Sequence, residues 1–160
     1  MNWYSKPTLY IHQSPIGAPR PRARKAGGFA RVYNPPEYTA WKTAAANDLK
    51  AYWKHEPING GFVNLAINVY FKRPKTLMRR CDPTAPIPHN KRPDVDNIAK
   101  AIIDATVDAG VMTDDKFVVQ LTIRKYYCSK DFNEAERIEI FILHTKNVAP
   151  IEPESTPHEG

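Results

Sequence analysis

Fifteen prolines are spread unevenly along this 160-residue chain, and their placement limits what it can fold into. Five lie in residues 14–36 and five more in residues 72–93. Proline breaks a helix interior and cannot donate to a sheet ladder. Both stretches therefore read as long loops, and regular structure is confined to the intervals between them. Loops of that length are uncommon in a compact domain unless they do something. The first holds three glycines and a run of basic residues; the second holds seven Lys and Arg.

The intervals carry distinct periods. Residues 7–11 (Pro-Thr-Leu-Tyr-Ile) begin a first strand. From about Pro36 a helix is expected. Proline suits its first turn, Glu37 favours the positive end of the dipole, and Tyr38, Trp41, Ala45, Leu49 and Trp53 recur at helical spacing. Gly60 and Gly61 close that region. In residues 62–71, Val63, Leu65, Ile67 and Val69 alternate with Asn64, Ala66 and Asn68, which predicts a strand. A short helix is expected over residues 95–109, with Ile98, Ile102, Ala105 and Ala109 on one face and Gly110 as its stop. Thr113 to Lys116 reads as a turn. Residues 117–127 and 136–143 read as strands, the latter with Ile138, Ile140 and Ile142 on one face. Four strands packed with two helices make an α+β (mixed α/β) single domain over residues 1–146. Residues 147–160 turn to Pro, Glu, Ser and Thr and are expected to be a disordered tail.

Composition excludes several classes. Hydrophobic residues at 42% and charged residues at 25% suit a globular protein with a real core. No run approaches the ~18 apolar residues of a membrane span, and Met1–Lys6 lacks the pattern of a signal peptide. Cys81 and Cys128 stand in no metal spacing and are too few for a disulfide framework, which points to the cytoplasm. The net charge is +6; because the last stretch carries three Glu and no Lys or Arg, residues 1–147 carry +9. A basic body suits a polyanion partner such as nucleic acid, or only aids solubility.

Chemistry concentrates in Lys91-Arg92-Pro93-Asp94-Val95-Asp96-Asn97-Ile98-Ala99-Lys100. Asp94 and Asp96, two residues apart in an extended segment, point to the same side and can converge on one cation. Lys100 lies one helical turn beyond Asp96. Asp114 and Asp115 follow the helix, where the chain turns back toward the first pair. Convergent carboxylates with a lysine form a hard-oxygen site suited to Mg²⁺ and to phosphodiester hydrolysis. The bland alternatives are a helix cap, an i,i+4 ion pair and turn chemistry. His89, five residues before Asp94, reads as a solvated loop histidine. Tyr33 and the Trp41/Trp53 stripe read as core.

The combination Arg92-Pro93-Asp94-Val95-Asp96-Asn97, Lys100, Asp104-Ala105 and then Asp114-Asp115-Lys116 resembles the RusA family of Holliday-junction resolvases, found in bacteria and chiefly in phages and prophages. The match is densest over residues 90–125, and Phe71-Lys72-Arg73-Pro74-Lys75 adds to it. The resemblance implies a small homodimeric endodeoxyribonuclease of the host cytoplasm. It would use Mg²⁺, with Mn²⁺ as substitute, and resolve four-way DNA by paired symmetric nicks in recombination and repair. It assigns metal binding and catalysis to Asp94, Asp96 and Asp115, phosphate stabilisation to Lys100, and a secondary place to Asp114. It implies no membrane and no small-molecule cofactor. Rival readings are a fork- or flap-cutting nuclease and a non-catalytic DNA-binding module.

The two loops supply the cations for phosphate contact: Arg20, Arg22, Arg24 and Lys25 in the first, Arg73, Lys75, Lys91 and Arg92 in the second. Arg20, Arg22 and Arg24 alternate, so extended backbone would aim them to one side.

Overall fold

A computed structural model describes residues 4–20, 22–26, 29–130 and 134–146. The proposed tail lies outside the described residues. The main sheet is built from β1 (Tyr4–Ser5), β2 (Leu9–Ile11), β5 (Phe62–Phe71), β6 (Ile87–Pro88), β7 (Val118–Tyr127) and β8 (Arg137–Thr145). A separate hairpin pairs β3 (Arg22–Ala26) with β4 (Phe29–Tyr33). The two helices are α1 (Pro36–Tyr52) and α2 (Val95–Asp108).

β5 is the centre of the sheet, whose order is β1-β8-β5-β7-β6, with β2 also pairing β8. Among the described strands only β5 and β7 pair in parallel, and the chain between them carries α2. Such a parallel pair needs a long crossover, which the second loop and α2 provide. Register follows burial. Leu9 pairs with Ile140, Ile140 with Ile67, and Ile67 with Ile123, so one apolar row crosses four strands. A one-residue slip would turn this row to the opposite face. Val63, Leu65, Ile67, Val69 and Phe71 are buried, as are Ile138, Ile140 and Ile142. Each such side chain contributes roughly 1.5–3 kcal/mol by leaving water.

Both helices have the expected faces. Tyr38, Trp41, Ala45, Leu49 and Trp53 are buried along α1, and Ile98, Ile102, Ala105 and Ala109 along α2. Gly110 ends α2 at φ +73°, a backbone conformation that a Cβ would strain. Beyond the four strands read from the sequence, the sheet holds the two-residue edge strands β1 and β6, and the first loop holds the β3–β4 hairpin. The first expected strand is shorter, at Leu9–Ile11, and the last runs on to Thr145. Both cysteines are free, Cys81 exposed and Cys128 buried. Among the described residues, no helix is long and apolar enough to cross a membrane.

Candidate active site

α2 positions the charged groups. Asp94 is its N-cap residue, Asp96 lies in its first turn, and Lys100, Asp104 and Asp108 follow at intervals of four. Residues four apart stand above one another on a helix. The buried Ile98, Ile102 and Ala105 hold the opposite side against the core, so this charged row faces outward. Asp94, Asp96 and Lys100 are exposed, and Asp104 is half-buried.

The start of α2 is held from two sides. On β7, the Lys125 ammonium donates to the carbonyls of Lys91 at 2.7 Å and Pro93 at 2.8 Å. The Arg92–Pro93 peptide between them is cis. From the first loop, the Ala18 N–H donates to the Asn97 carbonyl at 2.8 Å. Gly17 lies so close that a Cβ there would meet the Pro93 Cβ at 2.9 Å and the Asn97 Cβ at 3.1 Å. The first loop thus forms one wall of the cleft of about 440 Å³ that Asp94 lines with Arg92 and Asn97.

Two further clefts continue along the same helix. Lys100 and Asp104 line one of about 310 Å³ with Ala18, Pro19, Tyr33, Asn34 and Tyr38. Asp104 and Asp108 line another of about 390 Å³ with Lys42, Asp114 and Asp115. Asp104 borders both.

The two ends of the row differ in partners. Asp94 makes no side-chain cap hydrogen bond, and among the described residues no ion pair joins Asp96 to Lys100. The cap and i,i+4 alternatives therefore leave both unexplained. Further along, Tyr38 donates its hydroxyl to Asp104 at 3.3 Å, and Lys42 pairs with Asp108 at 2.9 Å. Burial, and then the Asp104 charge, hold the Tyr38 hydroxyl well above its usual range. Asp114 does serve as turn chemistry. It accepts the Lys116 N–H at 2.9 Å and pairs with the Lys116 ammonium at 2.8 Å, which holds its carboxyl below the usual range. That leaves Asp115 exposed at the start of the short 3₁₀ turn Asp115–Phe117.

The second acidic group returns to α2, but to its far end. At 1.5 Å per residue, Asp94 and Asp108 are about 20 Å apart along the axis, and Asp115 shares its cleft with Asp104 and Asp108. Among the described residues no group of three or more His, Cys, Asp or Glu stands close enough to hold a metal ion. In donor type the exposed carboxylates fit a hard divalent cation, and Mg²⁺ commonly takes only one or two from the protein and completes its shell with water and substrate phosphate. Asp94 with Asp96 meets that lesser requirement.

The expected phosphate-contacting cations divide. Arg20, Lys75, Lys91 and Arg92 are exposed. Arg22, Arg24 and Lys25 fall on β3, and their side chains lie outside the described residues. Arg73 is buried, at 7% exposure, and donates to the Ala85 carbonyl at 3.3 Å. Two readings of neighbouring residues are corrected. His89 is not solvated: it is buried between Phe71 at 4.1 Å and Tyr127 at 4.5 Å between ring centroids. Tyr33 is not core: it is 44% exposed and lines the Lys100 cleft. The contribution of Asp104 and Tyr38 was missed, although Asp104 continues the i,i+4 spacing of Asp96 and Lys100.

Comparison with known proteins adds independent weight. Residues 13–142 match the family model of the RusA endodeoxyribonucleases. The chain is also 26% identical over 124 residues to the crossover junction endodeoxyribonuclease RusA of Aquifex aeolicus (strain VF5), covering 77% of this chain and 83% of that one.

Proposed function

Because the chain belongs to the RusA endodeoxyribonuclease family, we propose that it is a Holliday-junction resolvase, cutting four-way DNA by paired symmetric nicks. The observation that carries this reading is the start of α2. Two carboxylates and a lysine stand exposed there with no side-chain partner among the described residues, and Asp94 and Lys100 line clefts bordered by the basic loops.

In this reading Asp94 and Asp96 hold a divalent cation, Mg²⁺ or in its place Mn²⁺, while Asp115, which the family resemblance groups with them, serves the reaction from the cleft it shares with Asp104 and Asp108. Bound there, the cation would polarise a phosphoryl oxygen and lower the pKa of water. The residues of the chain do the rest. Lys100, one turn from Asp96, sets its ammonium beside the scissile phosphate and stabilises the charge that grows there. Arg92 and Lys91, just before Asp94, hold the neighbouring backbone phosphates without reading bases. The segment Pro15–Ala18 closes the Asp94 cleft from the other side. A homodimer would set two such sites about a twofold axis, matching two strands of like polarity in a junction.

The test is incubation of the full chain with a labelled four-way junction, a fork, a flap and a linear duplex, with and without Mg²⁺. Paired Mg²⁺-dependent nicks in the junction are expected. Preferential cutting of forks or flaps would move the assignment to a general branched-DNA nuclease. Binding without cutting in any divalent metal would reduce the chain to a DNA-binding module.

A further inference from the structure

A second polar site lies away from the charged row of α2, where β5 and β7 end. These strands are parallel, so both carboxyl ends fall on one edge of the sheet, and the Cys128 N–H donates to the Phe71 carbonyl at 2.9 Å to tie them together. The residues that follow each strand, Lys72–Arg73 and Cys128–Lys130, wall a recess of about 370 Å³ together with Glu134 and Glu136.

Arg73 is the unusual member. It is 7% exposed, and only one of its three nitrogens is used: Nη1 donates to the Ala85 carbonyl at 3.3 Å. Nε and Nη2 are buried and have no partner among the described residues. Those two nitrogens form the side-on edge of the guanidinium, whose parallel N–H groups match two oxygens of a phosphate or carboxylate. A buried cation with two unused donors is unfavourable unless something fills that fork. The Ala85 carbonyl meanwhile fixes the plane of the group.

Among the described residues, no carboxylate in the recess fills it. Glu134 accepts from the Arg137 guanidinium at 2.8 Å and from the Ser129 N–H. Glu136 accepts from the Lys72 N–H at 2.9 Å and from the Ser14 hydroxyl at 2.6 Å. Lys130 donates to the carbonyls of Arg79 at 2.6 Å and Asp82, which holds its ammonium at the recess. Lys72 is exposed at the rim. Three cations thus border a recess whose acids are already engaged.

We propose that this recess is an oxyanion site that takes a phosphate group, with the buried Arg73 guanidinium beneath it as its base and Lys72 and Lys130 as its walls. Its phosphate comes either from the backbone of a DNA arm, a source that rests on the nuclease reading, or from free phosphate.

The experiment uses the full chain without divalent metal, so that no cleavage enters. Inorganic phosphate is titrated at constant ionic strength while the Arg73 Nε–H resonance, assigned by its loss in Arg73→Lys, is followed together with the affinity. The resonance is expected to move and saturate. Arg73→Lys keeps the charge but loses the fork, and should bind phosphate about tenfold more weakly, a change of about 1.4 kcal/mol. If Arg73→Lys fails to fold, Lys72→Ala at the exposed rim should still weaken phosphate binding severalfold. A resonance that does not respond to phosphate, or equal affinity in the wild type and both variants, would overturn the site. Adding an uncleaved four-way junction separates the sources. Movement of the same resonance, with loss of the response to phosphate, assigns the recess to a DNA arm; an unchanged phosphate titration on the junction-bound protein assigns it to free phosphate. The outcome is independent of the nuclease reading, because phosphate binding without any junction cleavage would retain the site and sink that reading.

Discussion

The two ends of α2 carry the same kind of charges at the same spacing and use them in opposite ways. At the far end Asp108 is matched by Lys42 and Asp104 by Tyr38, so α1 and α2 are joined by two polar rungs four residues apart on each helix. At the near end Asp94 and Asp96 have no such partners among the described residues, and Lys100 is left exposed. Charge on a helix surface is cheap to solvate, so it is pairing that separates scaffold from machinery. The near end keeps its two carboxylates unpaired by side chains; the positive end of the helix dipole stabilises their charge there without consuming it, so they stay available to a ligand. Asp115 breaks the simple division, since it reaches the scaffold end from a separate segment while remaining exposed.

The comparison breaks most sharply at the near end. Asp94→Asn and Asp96→Asn should each lower cleavage of a labelled junction by roughly 100-fold or more, the scale seen when one charge-stabilising group is removed from an active site. Junction binding and melting temperature should hold. A variant that cuts at wild-type rate would return that carboxylate to the scaffold. Asp115→Asn is expected to behave like them despite its place at the other end; if it costs stability and spares cleavage, the division along α2 is complete after all. Lys100→Ala should lose about as much activity with the fold intact, because its side chain is exposed on the face away from Ile98 and Ile102. Unfolding on that substitution would show that Lys100 belongs to the scaffold.

Much of this architecture was legible because buried faces repeat. Ile138, Ile140 and Ile142 alternate, Ile98, Ile102 and Ala105 recur at helical spacing, and both patterns met a core where they were expected. The β3–β4 hairpin was not legible. Arg22–Ala26 is basic and lacks an alternating apolar set, and its one local signal is the Gly27-Gly28 pair between the strands. The burial of His89 depends on Phe71 and Tyr127, which come from two different strands. Nothing nearby in sequence separates Arg73, which is buried, from Lys75, which is exposed. Within the site, spacing placed Asp94, Asp96 and Lys100 on one helix start. The length of α2 then carried the chain too far along for Asp114 and Asp115 to return beside them.

The first loop offers a smaller effect on the same comparison, because it walls the near end and not the far one. Replacing Arg20, Arg22 and Arg24 by Ala should weaken junction binding and reduce its log–log salt slope by roughly 0.9 for each lost phosphate contact. Single-turnover cleavage at saturating protein should recover in part, since the loop adds no carboxylate to the site. Gel-shift titrations at several salt concentrations read this directly. An unchanged slope would move the DNA path to Lys75, Lys91 and Arg92 alone.

The smallest effect belongs to the far end and decides whether pairing there means what it is taken to mean. Lys42→Ala removes the partner of Asp108. The Lys42 side chain is 25% exposed and that of Asp108 is 45% exposed, so the freed carboxylate can be hydrated and water already screens much of the attraction. Exposed pairs of this kind contribute about 0.2–1 kcal/mol. In a domain of this size that lowers the melting temperature by no more than ~2–4 °C. Junction cleavage should stay within about threefold of wild type, because 1 kcal/mol or less on the fold leaves the protein almost wholly folded. Tyr38→Phe provides the matching case at the next rung, where one hydrogen bond to the Asp104 carboxylate is worth roughly 1.5–3 kcal/mol. If either substitution instead lowers cleavage more than tenfold with little loss of stability, Asp104 and Asp108 are held in place by α1 for the reaction at Asp115. The paired end of α2 would then be part of the machinery rather than its frame.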